Sequence, residues 1–420
     1  MSTCQLEELN STTGSLARVA FRYPNFRLFM TARFLAIVSS EMISVAVGWQ
    51  IYALTHRPLD LGLVGLAQFA PGVLLFLVAG HTADRHSRQI ILRICYVAFA
   101  LCAAALLALT WHGLAAVWPI YAVLLGNGAV RAFNGPASQS FLPQLVKAEH
   151  FANAVTWGSS FFQTATILGP MAGGLIYGFV GSAAPVYACA TIAYGAAVVL
   201  LSAIRVNLAP RAKTEVSSGV ILEGLRYIWR NQLILGCMSL DLFAVLLGGA
   251  VALLPVYARE ILRTGPNGLG VLRAAPGLGA VTVAILIAHY PLRRKAGRSM
   301  LYSIAGFGVF TIVFGLSRNI ALSLVALILT GAFDMVSVIV RSSLVQLRTP
   351  DEMRGRVSAV NMLFIGASNE VGQFESGITA QWFGAVPAVV LGGAGTIAIV
   401  LAWNWLFPAL RSVDKLGKEH

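Results

Sequence analysis

Long apolar blocks recur along this chain, each near the length a helix needs to cross a bilayer, with short polar segments between them. Twelve can be placed, at 28–55, 61–80, 90–110, 117–140, 154–179, 184–204, 233–257, 268–289, 299–316, 320–343, 358–381 and 386–407. Runs this long with scattered glycine read as helices, because a membrane barrel would alternate polar and apolar positions. The pattern predicts an all-α integral membrane protein of twelve transmembrane helices.

Polar residues break the blocks at helical spacing. Span 1 carries Ser40, Glu41, Ser44 and Gly48, span 4 carries Asn127, Arg131, Asn134 and Ser138, and span 10 carries Thr330, Asp334, Ser337 and Arg341. Steps of three or four residues put each set on one helix face. Span 7 has a single such point, Asp241. Span 11 is polar over much of its length, with Asn361, Ser368, Asn369, Glu370, Gln373, Glu375 and Ser376, so that side of it must avoid lipid. An ionisable group inside a span is costly unless paired or hydrated, and it marks function by default. Five acids qualify: Glu41, Asp241, Asp334, Glu370 and Glu375. Asp334 and Arg341 stand two turns apart on one face. They can pair with each other only if their side chains reach, or else with Arg131 or Glu41 from facing helices.

The chain is internally duplicated. Gln144 to Val155 (QLVKAEHFANAV) returns 202 residues later as Gln346 to Val357 (QLRTPDEMRGRV), and Gly65 to Gly72 (GLAQFAPG) returns at an offset of 205 as Gly270 to Gly277 (GVLRAAPG). Two matches at nearly one offset imply two similar halves, the organisation of membrane transporters with a substrate path between the repeats. The expected divisions are a tail at 1–27, a six-helix half at 28–204, a linker at 205–231, a second half at 232–407 and a tail at 408–420. Within the linker, Ile221, Leu222, Leu225, Ile228 and Trp229 share a face, which predicts a short amphipathic helix on the membrane surface.

Composition agrees: 57% of residues are hydrophobic and 11% charged, too few charges for a soluble surface at this length. Charge placement sets orientation. With the N-terminus inside, inner loops and tails hold 22 of the 30 Lys and Arg. Outer loops hold four (Arg57, Arg259, Arg263 and Arg318), and four lie within spans (Arg33, Arg131, Arg273 and Arg341). That bias predicts two cytoplasmic termini. It also accounts for the net charge of +13 without nucleic-acid binding. Five scattered cysteines and unclustered histidines offer no metal site, and no phosphate-binding loop or hydrolase motif is present, so neither catalysis nor direct use of ATP is expected.

Three motifs carry a family resemblance. Gly80-His-Thr-Ala-Asp84-Arg85-His-Ser-Arg88, between spans 2 and 3, resembles the Gly-x-x-x-Asp-Arg-x-Gly-Arg-Arg loop of the major facilitator superfamily, with Ser87 and Gln89 as departures. Gly126 to Pro136 in span 4 resembles its intramembrane arginine motif. Gly169-Pro170-Met-Ala-Gly173-Gly174 in span 5 resembles the signature of its proton-coupled exporters. The start of span 1 (Ala32 to Ser39) and Pro350 to Val357 resemble the bacterial enterobactin-exporter and macrolide-efflux branch.

The resemblance implies a cavity lined by spans 1, 4, 7 and 10. It implies a cytoplasmic gate at Gly80, Asp84, Arg85 and Arg88, and a tight, bendable interface helix at Gly169, Pro170, Gly173 and Gly174. Arg131, Asn127, Asn134, Arg341, Ser337 and Ser44 are then the cavity candidates, and the five acids the proton-coupling candidates. A carboxylate that loses water as its cavity closes holds a proton more readily, and alternating exposure can convert a proton gradient into a conformational bias. The expected protein is a multi-pass, monomeric exporter of an amphipathic small molecule in the bacterial inner membrane. It would be driven by proton antiport and need no cofactor. A uniporter or importer without proton coupling, and a non-transporting receptor, are the alternatives the residues leave open.

Overall fold

Proline opens many of the membrane helices. It stands in the first two positions of α1 (Pro24–Thr55), α2 (Pro58–Arg85), α4 (Trp118–Phe141), α6 (Ala184–Ala203) and α8 (Gly265–His289), where its fixed φ suits a helix start and its missing N–H is not needed. The computed structural model describes residues 19–113, 116–205, 218–290 and 295–414. Within them lie twelve long helices, the others being α3 (Arg88–Trp111), α5 (Phe151–Val180), α7 (Gln232–Leu247), α9 (Ala296–Leu316), α10 (Ile320–Arg348), α11 (Asp351–Phe383) and α12 (Ala385–Leu406). Every apolar block of the sequence became one of them.

Nine of these helices, counting α7 with its continuation to Ile261, are long and apolar enough to cross a membrane. The remaining three are α4, α5 and α11, which hold the intramembrane arginine motif, the Gly-Pro motif and the polar run. Of these, α5 and α11 pack against the other half of the protein. The span 7 block stands as one span from Gln232 to Ile261, but not as one uniform α-helix. Its α-helix stops at Leu247, and Gly248-Gly249 leads into 3-10 (Ala250–Leu253), short α (Leu254–Val256) and π (Tyr257–Ile261) turns. Ser376 of α11 donates to the Gly249 carbonyl at 3.1 Å, replacing a bond the helix has lost.

The halves meet along two seams that the duplication relates, α5 against α8 and α2 against α11. Both depend on glycine. A Cβ on Gly174 would stand 2.8 Å from Cα of Gly270, and a Cβ on Gly377 would stand 2.8 Å from Cα of Gly62. Backbone cannot retreat from such contacts, so only hydrogen fits. Both seams close at the end of the bundle away from the chain termini. There Tyr52 of α1 also donates a hydrogen bond to Glu260 of the π turn, and Arg259 lies over the Trp49 ring at 5.9 Å. Toward the termini the α2–α11 seam parts. Gly72 of α2 and Gly366 and Gly355 of α11 have open space where a Cβ would be. Gln139 of α4 makes only a weak contact of 3.7 Å with the Met362 sulfur there.

The linker helix spans Ser218–Arg230. It does not lie free on a surface, as its amphipathic pattern predicts, but docks on α11. Ile228 is fully buried with Ile234, Met238, Val345, Val357 and Val360, and Glu223 pairs with Arg356. Leu222 and Trp229 stay exposed, so the apolar stripe is divided between protein and surroundings. Ile228→Ala is expected to lower stability by about 2–4 kcal/mol through lost burial and a cavity. Trypsin cutting at Arg226 and Arg230 before any other site is the check; unchanged protection would show that the helix is held elsewhere.

Candidate functional site

A cavity of about 650 Å³ lies between the halves, against the closed ends of the seams. Its walls include Ser40, Glu41 and Ser44 of α1, Asn127 and Arg131 of α4, Asp241 of α7, and Thr330, Asp334 and Arg341 of α10. Those are the four helices the resemblance names, and part of each polar stripe faces inward. Gln68 of α2, Arg273 of α8 and Asn369, Glu370 and Gln373 of α11 join them, while Phe162, Phe307 and Phe314 give the space an aromatic side. The cavity therefore has charge on some walls and aromatic carbon on others, which suits an amphipathic guest.

Charged groups sort into three pairs. Arg131 Nη1 donates to Gln68 Oε1 at 2.8 Å and lies 3.5 Å from Glu370. Arg273 donates to Ser44 at 2.7 Å, with Nε 3.9 Å from Glu41. Arg341 pairs with Asp241 at 3.0 Å and donates to Asn361 at 3.2 Å. The first two pairs cross between the halves in opposite senses, for each half contributes one arginine and one glutamate. The third lies wholly within the second half and is buried, its side chains 4% and 7% exposed.

Several expectations are corrected here. Arg341 does not pair with Asp334; Asp241 of the adjacent α7 occupies it. Arg131 meets Glu370 rather than Asp334, and Glu41 meets Arg273 rather than Arg341. Asp334 has neither a hydrogen bond nor an ion pair among the described residues, and shares with Asp241 a small recess lined by Ala244, Val245, Ile304 and Phe307. Glu375 is not in the cavity. Five residues beyond Glu370 is about 140° around a helix, and its carboxylate there accepts from Thr379 at 2.7 Å. Asn134 and Ser337 also miss the lining. They stand 203 residues apart, near the duplication offset, and each keeps a buried oxygen without a hydrogen-bond partner among the described residues.

The Gly-Pro motif divides its work. Gly169 and Gly173 bring α5 onto Glu41 and Met42 of α1, inside one half, while Gly174 and the Pro170 carbonyl meet Pro266 and Gly270 of α8 across the seam. In the loop motif, α2 runs through Arg85 and α3 starts at Arg88. The surroundings of Gly80, Asp84 and Arg85 lie outside the described residues.

Sequence reasoning missed Gln68, Arg273 and Gln373 as site residues. The signal for all three was present: Gln68 and Arg273 hold the same place in the repeated octapeptide, 205 residues apart, Arg273 is one of four arginines within spans, and Gln373 lies in the polar run of span 11.

A family described as transmembrane secretion effector matches residues 14–420. The enterobactin exporter EntS of Shigella boydii serotype 4 (strain Sb227) is 27% identical over 386 residues, covering 90% of this chain and 87% of its own. EntS of Escherichia coli O1:K1 / APEC is 26% identical over the same shares. Among solved structures, the nucleoside transporter NupG is similar with a TM-score of 0.67 at 15% identity, covering 91% of this chain and 99% of its own. A D-xylose-proton symporter reaches 0.68 at 14% identity, covering 92% and 98%. A bacterial Spinster homologue in an inward-facing, occupied conformation reaches 0.71 at 12% identity, covering 92% and 98%.

Proposed function

The chain belongs to the transmembrane secretion effector family of the major facilitator superfamily, and on that premise we propose that it exports an amphipathic small molecule by proton antiport. It is a multi-pass membrane transporter and not an enzyme. The membrane in this proposal is the bacterial inner membrane, with both termini cytoplasmic, as the 22-to-4 distribution of Lys and Arg favours. The parted seam then faces the cytoplasm, where an exporter loads. The proton gradient is the energy source and no cofactor takes part. Enterobactin, the cargo named for the similar exporters, makes a siderophore-like molecule the first substrate to test, with drugs second.

One observation carries the reading: the two ion pairs that cross between the halves in opposite senses, Arg131–Glu370 and Arg273–Glu41. Each ties the closed end with a carboxylate that a proton can neutralise. When the far side opens, the two carboxylates leave their arginines and take up protons there; when it closes again the arginines re-pair with them and displace the protons to the cytoplasm, so protons move opposite to the cargo. Asp334, unpaired at the cavity wall, is the third coupling candidate, and Asp241 is held by Arg341.

The test is efflux from cells deleted for their main exporters, using enterobactin and a dye and drug panel, with and without an uncoupler. Uncoupler-sensitive efflux is expected, with Glu41→Gln and Glu370→Gln reducing it to background. Efflux that survives the uncoupler and both substitutions would replace antiport by a passive carrier.

A further inference from the structure

Arg131 is built to hold something besides Glu370. Its own half fixes it through the 2.8 Å bond from Nη1 to Gln68, and the same nitrogen faces Glu370 at 3.5 Å, beyond the 2.7–2.9 Å typical of a tight charge-assisted bond. Nε and Nη2 have no hydrogen-bond partner among the described residues. The side chain is 49% exposed, against 23% for Arg273 and 4% for Arg341. The Nε–Nη2 edge of a guanidinium is a planar fork of parallel N–H donors that matches the two oxygens of a carboxylate or sulfonate. Glu370 does not need Arg131 alone, since Gln373 on its own helix donates to its second oxygen at 3.1 Å.

We propose that Arg131 is the anchor for an anionic head group of the cargo, which is an amphipathic acid, and that this acid competes with Glu370 for the guanidinium. The head group occupies the open Nε–Nη2 edge, and the apolar body lies toward Phe162, Phe307 and Phe314, which share the cavity. A bound anion shares the charge of Arg131, so the loose pair across the halves weakens while the Gln68 bond stays. Loading the cargo therefore unties α4 from α11 at the closed end. The inference rests on the export reading for the ligand's route, but binding itself is measured without any gradient. Failure of proton coupling therefore leaves this result standing, and failure here leaves coupling untouched.

The test uses the full chain in detergent and three probes sharing one ring system: 2-naphthoate, 2-naphthylmethanol and 2-naphthylmethylammonium. Affinity is read from ligand-induced thermal shift and confirmed by calorimetry. The acid is expected to bind about tenfold or more tightly than the alcohol and the amine, the scale of one bidentate charged contact. Arg131→Gln is expected to remove that advantage, so that acid and alcohol bind alike. Glu370→Gln is expected to bind the acid several-fold more tightly, because the competing carboxylate is gone. That last result is one a merely structural role for the pair would not produce, and it stands even if Arg131→Gln fails to fold. Equal binding of acid and alcohol, no binding of the acid, or weaker acid binding by Glu370→Gln would each overturn the proposal.

Discussion

A Gly174→Val protein is expected to insert in the membrane and fold, yet fail to close the end of the bundle away from the termini. Transport should fall by more than about tenfold. A Cβ at this position would stand 2.6 Å from the Pro266 carbonyl oxygen and 2.8 Å from Cα of Gly270, and both obstacles are backbone. Overpacking of this kind costs about 2–3 kcal/mol, provided the helices do not move apart. Here they can move apart, because the seam must open in any alternating-access cycle. The cost then falls on the closed arrangement alone and shifts the closed-to-open ratio by roughly 30- to 150-fold. Spin labels at Ser182 and Arg263, on either side of this seam, should show a longer distance in the variant. An unchanged distance distribution would mean that the seam tolerates the added methyl groups and that the glycines are not what permits closure. Gly377→Val, at the related place in the other seam and facing Gly62, should behave alike.

Removing Arg341 has the second large effect, on stability rather than conformation. Arg341→Ala leaves the Asp241 carboxylate buried without its cation, and breaking one partner of such a pair costs about 3–5 kcal/mol. Asn361 loses its donor as well, and Asp334 nearby adds a second acid to the same recess. Asp241→Asn with Arg341→Gln keeps two polar groups of similar shape and no net charge to bury, so it should recover most of the loss. Thermal unfolding of the purified proteins separates the cases. If the single variant is as stable as the parent, water reaches Asp241 and the pair does not hold α7 to α10. If the double variant is stable and also transports, Asp241 is a structural acid, and the proton traffic belongs to Glu41, Glu370 and Asp334.

Much of this protein can be read without coordinates, and particular residues show where reading stops. Asn127 and Arg131, four apart on α4, were predicted to share a face and do line one wall. Glu370 and Glu375, both acids in one polar span, differ in fate because five positions turn the helix too far for both to see the cavity. Gly248 and Gly249 were visible, but whether a glycine pair ends a helix depends on what receives the freed carbonyl, and that is Ser376, 127 residues on. The linker stripe from Leu222 to Trp229 signalled an amphipathic helix correctly; that α11 rather than lipid takes Ile228 depends on a pocket formed by distant residues.

What the chain alone determined is local or statistical: helix type and number from the length of apolar runs, two related halves from the repeat, and functional residues from charges that lipid penalises. Each follows from neighbours within a few turns or from composition. What only the tertiary structure decided is partnership. Arg131 and Glu370 are 239 residues apart, and Tyr52 and Glu260 are separated by 208. Which arginine meets which acid depends on the rotation and depth of helices packed against one another. A rotation by one residue, about 100°, would exchange the partners while leaving every local pattern in the sequence unchanged.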